Sequence, residues 1–113
     1  MILAISGYRY FYDYEIFERE VLNLQAEIDK VRVGDASGTD NLAHIFCRKN
    51  EIEIRIFKAK WNKYGKAAGP IRNRRLIKKS DHLIAFLSKH SKGTKDSIKY
   101  AKSLNIPVTI IHI

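Results

Sequence analysis

An α/β domain with a parallel sheet covered by helices on both faces is the fold class this sequence predicts. Three observations predict it. Short apolar runs alternate along the chain with stretches of helical spacing, and strands joined through right-handed helical crossovers form parallel sheets with helices on both sides. Two of the runs, Ile2–Ile5 and Leu83–Leu87, are apolar without alternation, as expected of strands buried on both faces. The length of 113 residues suits one domain over positions 1–113, and a chain of this size can bury a single core.

Ile2–Ile5 ends in Ser6-Gly7 and is expected at the centre of the sheet. Tyr8–Tyr14 packs aromatic side chains around Arg9 with neither helical nor alternating spacing; it reads as a pocket wall, or more plainly as aromatic padding over the core. Asp13 suits a helix N-cap. Phe17, Val21, Leu24 and Ile28 follow as one apolar stripe, predicting a helix to about Asp29. Val31–Val33 is the next strand. The connection Gly34 to Asp40 leads to a helix with expected buried positions Leu42, Ile45, Phe46 and Cys47. Asp40 suits either a cap of its own helix or an acceptor for ligand hydroxyls. Ile52, Ile54 and Ile56 alternate with Glu53 and Arg55, so this strand has one wet face and belongs at a sheet edge.

Trp61–Arg75 is the most unusual stretch. It sets two aromatics and two glycines before Pro70, then Arg72, Asn73, Arg74 and Arg75. Proline suits the first turn of a helix, so a helix is expected to begin here, with Gly69 leaving its backbone open. Its N–H groups and dipole, with Arg72 or Arg75 as a planar fork of donors, would suit an anion. The plainer reading is a solvated basic first turn, closed at the far end by Lys78-Lys79. After the strand Leu83–Leu87, Ser88–Thr94 forms another small polar connection with Thr94 as the expected N-cap. Ile98, Ala101 and either Leu104 or the stem of Lys102 then face the core, and Pro107 opens a last strand, Val108–Ile113.

Lysine and arginine total 21 against 12 aspartates and glutamates, a net charge of +9. Such a field favours polyanions and phosphorylated small molecules. No apolar run approaches the roughly 20 residues of a membrane helix, and the start of the chain reads as a strand, not a signal peptide; a cytoplasmic protein without membrane partners is expected. Cys47, the single cysteine, reads as a buried structural thiol. No metal-ligand cluster, paired carboxylates or nucleophile beside a histidine is visible in the spacing, so no metal or cofactor is expected. His90 is the one histidine in a candidate site loop.

In open parallel sheets ligands bind beyond the carboxyl ends of the strands, where the winding reverses, and every unusual connection here follows a strand. Ser6-Gly7-Tyr8-Arg9, Gly34 to Ala43, Trp61 to Asn73 (Trp-x-x-Tyr-Gly-Lys-Ala-Ala-Gly-Pro-Ile-Arg-Asn) and Asp81 to Thr94 together resemble the YAcAr-like branch of the SLOG superfamily. That superfamily also holds the DNA-processing protein DprA and the LOG-type nucleotide phosphoribohydrolases. The resemblance spans nearly the whole chain. It implies a Rossmann-like three-layer sandwich of five parallel strands in the order 3-2-1-4-5. It also implies a pocket for a nucleotide or nucleotide-derived ligand lined by Gly7, Arg9, Gly34, Gly38, Asp40, Gly69, Arg72, Asn73, Ser91, Gly93 and Thr94. It passes on a site and not a reaction, and no catalytic residue is assigned.

Two departures bear on chemistry. LOG-type enzymes place a glutamate three residues after the threonine of Gly-Thr; counted from Thr94 that position is Ser97, and the nearest carboxylate is Asp96. The second loop lacks the arginine that relatives tend to carry, so one phosphate contact is either missing or supplied by Lys66. The leading expectation is a binding or sensing domain for a nucleotide-derived molecule. A nucleotide hydrolase or transferase using Asp40 or Asp96 as base is the second. Single-stranded nucleic-acid binding is the third, through Lys58, Lys60, Lys63, Lys66, Lys89, Lys92 and Lys95 with Trp61 and Tyr64 for stacking. A homodimer is expected by analogy with other small doubly wound domains.

Overall fold

A computed structural model describes residues 1–113. The strands are β1 (Ile2–Gly7), β2 (Lys30–Gly34), β3 (Glu53–Phe57), β4 (His82–Leu87) and β5 (Val108–His112), and the helices are α1 (Tyr14–Leu22), α2 (Thr39–Lys49), α3 (Trp61–Tyr64), α4 (Ala68–Ile77) and α5 (Lys92–Ser103). All strand pairings are parallel, in the order β3-β2-β1-β4-β5. The chain has a Rossmann-like α/β fold. Winding runs outward from β1 to β3, then crosses to β4 and β5, so it reverses between β1 and β4.

The two-residue period of the strands divides the core. Leu3 and Ile5 of β1 join Phe17, Val21, Leu42, Phe46, Ile84 and Phe86 on the face covered by α1 and α2. Ala4 joins Leu76, Ile77, Leu83, Ala85, Ile98 and Ala101 under α4 and α5. Strands apolar at every position follow directly, because both of their faces are covered. Phe86 is the hub of the first face: Phe11 and Phe17 stack on it with centroids 5.3 and 5.1 Å away, and Phe17 meets Phe46 edge-on at 6.0 Å. β3 lies at the edge, as its alternation predicts. No helix is long and apolar enough to cross a membrane.

Several boundaries differ from the sequence expectation. Asp13 does cap α1, accepting from the Ile16 N–H at 3.2 Å, but the helix ends at Leu22, well short of Asp29. The Leu24 and Gln25 N–H groups turn back to Val21 and Leu22, and Gln25 adopts φ of 49°, a left-handed conformation that cannot continue a helix. Asp29 N–H then bonds Met1 O at 2.9 Å, drawing the chain alongside β1. Leu24 and Ile28 still reach the core, from a loop. In α2, Ile45 is 51% exposed; it lies roughly 130° around the helix axis from the middle of the stripe formed by Leu42, Ala43, Phe46 and Cys47.

The helix expected at Pro70 begins earlier. Trp61–Tyr64 already forms a helical turn, a 3-10 turn follows over Gly65–Ala67, and α4 starts at Ala68. Pro70 still falls in a first turn, where its missing N–H leaves no bond unmade. In α5 the N-cap is Ser91, not Thr94. Leu104, expected in the core as an alternative to the Lys102 stem, is exposed, as is Lys102.

Candidate functional site

A cleft of about 480 Å³ opens where the winding reverses, walled by the ends of β1 and β2 and the first turns of α2 and α5, with Trp61, Arg72 and Asn73 completing it. Glycines bring the walls together. A Cβ on Gly7 would stand 2.5 Å from Thr39 Oγ1 and 2.9 Å from Phe86 Cβ, so only glycine lets α2 and β4 close on the end of β1. Thr39 secures the approach, donating from Oγ1 to Tyr8 O at 2.8 Å. At Gly34 a Cβ would lie 2.9 Å from both Arg72 Nε and Asp40 Oδ2; the bare backbone allows a cation and a carboxylate to pass over the end of β2.

Arg72 is the best-positioned charge. Its side chain is only 10% exposed. Nε donates to Asn73 Oδ1 at 2.9 Å, and Nη1 donates to Asp35 Oδ1. Asp35 Oδ1 also accepts the Ala59 N–H at 3.2 Å, tying the segment before α3 to the end of β2. Asp40 does not cap its own helix. Its Oδ2 accepts the Ala36 N–H at 3.0 Å and so folds the loop that precedes it. Burial pushes its carboxyl up to about 6, against the Ala36 N–H and the Arg72 charge, which pull it down; Asp35 adds to the rise.

The opposite wall is the start of α5. Ser91 Oγ accepts the Ser88 N–H at 3.0 Å and forms no hydrogen bond to the helix it precedes, and the first turn carries no acidic side chain. Lys92, Gly93 and Thr94 line the cleft there, so the positive end of the helix dipole faces its interior. The formal charges around the cleft are Arg9, Arg72 and Lys92 against Asp35 and Asp40, with His90 at the rim. No group of three or more His, Cys, Asp or Glu side chains is arranged to hold a metal ion.

Of the residues predicted to line a pocket, Gly7, Arg9, Gly34, Asp40, Arg72, Asn73, Ser91, Gly93 and Thr94 converge on this cleft. Gly38 and Gly69 do not. Gly38 has φ of 68°, and a Cβ there would meet Arg9 O at 2.3 Å; it packs the α2 entry against the Arg9 backbone, where Ser37 Oγ donates to the same carbonyl at 3.0 Å. Gly69 is buried inside α4, with Trp61 as the one contact its Cβ would make, at 3.5 Å. Arg75, the alternative anion fork, lies away from the cleft beside Phe57, roughly 4.5 Å further along the α4 axis than Arg72. Lys66 also lies outside the lining.

Asp96 leaves the cleft as well: Arg74 Nη2 donates to its Oδ1 at 3.2 Å. Ser97 is fully buried and donates to Gly93 O at 3.1 Å. The aromatic segment divides. Tyr8 lines the cleft, Phe11 is core, and Tyr10 and Tyr12 are exposed. Asp35, Ala36, Ser37 and Lys92 line the site without having been singled out for it. A carboxylate directly after a strand end was the available signal for Asp35, but its partner Arg72 is 37 positions away. A scan of protein-family models and searches of curated proteins and of solved structures find no match to this chain.

Proposed function

We propose that the cleft binds a nucleotide or nucleotide-derived small molecule and that binding, as a sensor or carrier domain, is the function. The carrying observation is that the open start of α5 with Lys92, and the cations Arg9 and Arg72, line one cleft at the reversal of winding. Helix starts with unfilled N–H groups and nearby cations take phosphate, and the cleft volume falls within the range of small-ligand sites. Asp35 and Asp40 offer acceptors for hydroxyl and amino groups, and Asn73, whose Oδ1 is held by Arg72, has its amide nitrogen beside Gly93. The motif resemblance to SLOG domains supports the same reading.

The test is thermal unfolding against mononucleotides, cyclic nucleotides and nicotinamide dinucleotides, followed in parallel by emission of Trp61, the single tryptophan, which is 57% exposed at the cleft rim. A ligand at about a hundred times its dissociation constant adds roughly 2.7 kcal/mol, a shift of several degrees. One ligand class should raise the midpoint and change the emission, with both effects lost in Arg72→Ala. No response to any member of the panel would defeat the proposal.

A second reading, a hydrolase or transferase, is favoured by one observation: Asp40 titrates near 6 against the cleft, a value suited to moving protons near neutral pH. If it holds, Asp40→Asn abolishes turnover while ligand binding persists; a native protein that binds but never turns over rules it out.

A further inference from the structure

Away from the cleft, at the β3 edge, three arginines surround one buried ring. The guanidinium carbons of Arg32, Arg55 and Arg75 stand 4.7, 4.6 and 5.7 Å from the centroid of Phe57, which is itself 5% exposed. Arg32 and Arg55 are register partners on β2 and β3, and Arg75 arrives from α4. Arg32 spends Nε on Leu76 O at 3.0 Å and Nη2 on Arg75 O at 3.1 Å. Arg55 and Arg75 are exposed and their side chains donate to no protein group. None of the three belongs to an ion pair. The carboxylate two residues before Arg55 on β3, Glu53, is held by Lys30 at 3.4 Å.

Like charges gathered without a carboxylate repel one another, and the Arg55 charge, after burial, holds Arg32 below its ordinary pKa. The shared ring gathers the three guanidinium groups, and planar forks match phosphate oxygens. We propose that Arg32, Arg55 and Arg75 form a docking site for the phosphate backbone of a single-stranded nucleic acid. None of the three lines the cleft, and two are displayed on open surface, which suits a chain passing over the protein better than an enclosed small molecule. Phe57 is too buried to stack with a base, but Trp61 follows four residues later, within roughly 14 Å of chain, and its exposed ring supplies a stacking platform. The net charge of +9 favours the encounter. The site goes beyond the cleft reading and does not depend on it.

The test measures anisotropy of a labelled single-stranded oligothymidylate with the full chain across a salt series. Arg55→Gln/Arg75→Gln is compared with Arg19→Gln/Arg48→Gln, a pair of exposed arginines on α1 and α2 across the sheet that changes net charge equally. The first pair should weaken binding at low salt by at least ~tenfold and flatten the log–log salt dependence by roughly 1.4; the second should leave the slope nearly unchanged. Should the first double variant unfold, each single variant should remove about half of that slope. Arg72→Ala retains oligonucleotide binding, which separates this site from the cleft. Equal losses from both pairs, no salt-sensitive binding by the native protein, or displacement by polyglutamate at equal charge would overturn the proposal, the last in favour of an acidic protein.

Discussion

Arg72 on α4 and Asp35 at the end of β2 form the one ion pair within the cleft, and the same Asp35 oxygen accepts the Ala59 N–H. The principal cation of the site is therefore already engaged. An anionic ligand reaches Arg72 only by sharing it with, or taking it from, Asp35.

Asp35→Asn keeps an acceptor for Ala59 but removes the competing charge. Asp35 is partly exposed but Arg72 is only 10% exposed, so stability should fall by about 1–3 kcal/mol, between the cost for an exposed and for a buried pair. A phosphate-bearing ligand of the cleft should bind at least ~threefold more tightly at low salt, the gain shrinking as salt is added. Titration of Trp61 emission at two ionic strengths checks both halves; unchanged or weaker binding would show that ligand and Asp35 do not compete.

The two cleft glycines should respond differently to alanine. At Gly7 the intruding methyl meets the fully buried Thr39 and the Cβ of Phe86, neither of which has room to give, so Gly7→Ala should cost about 1–3 kcal/mol. At Gly34 it meets the Arg72 and Asp40 side chains, which can swing. Gly34→Ala should lose less stability and yet lose the ligand response. Denaturant midpoints combined with the ligand panel separate the two.

Asp40 makes stability depend on pH. Its ordinary pKa is 3.8 and its folded value about 6, so the folded protein holds a proton that the unfolded chain releases first. The contribution to stability is greatest below the ordinary value, falls as pH rises through that window, and is lowest above 6. Asp40→Asn should therefore stabilise the protein near neutrality by up to roughly 2–3 kcal/mol and change little in acid. Paired unfolding curves at acid and neutral pH test the sign; a variant destabilised near neutrality would refute it.

Cys47, on the buried face of α2, is 2% exposed, and burial pushes its thiol up to about 11. With so little thiolate and no access, it should resist a disulfide reagent in the native state and react at once in denaturant. Rapid native labelling would mean that α2 opens readily.

The layered fold was legible because its signals are local. An unbroken apolar run such as Leu83 to Leu87 identifies a strand covered on both faces, and the alternation around Ile54 identifies an edge. Where local signals compete, spacing alone misplaces a boundary: the apolar spacing through Leu24 and Ile28 continues past Leu22, but the left-handed turn at Gln25 and the Asp29 bond to Met1 end the helix. The spacing of Ile45 from Leu42 looks helical in sequence, yet the remaining buried positions centre the stripe elsewhere.

The class of fold, the sheet edge and the loops in which chemistry gathers are written in local patterns, since glycine, serine and arginine after a strand mark connections whatever the packing. What each polar residue does depends on how the elements pack. Gly38 and Gly69 have the same composition signal as Gly7 and Gly34, but one packs against a neighbouring backbone and the other inside a helix. Arg72 and Arg75 differ by three positions and share a side of α4, yet the first reaches Asp35 in the cleft and the second the ring of Phe57. Partners so distant in the chain meet because the parallel sheet aligns the ends of its strands. Sequence spacing cannot express that alignment, because it depends on side-chain direction and register across the sheet.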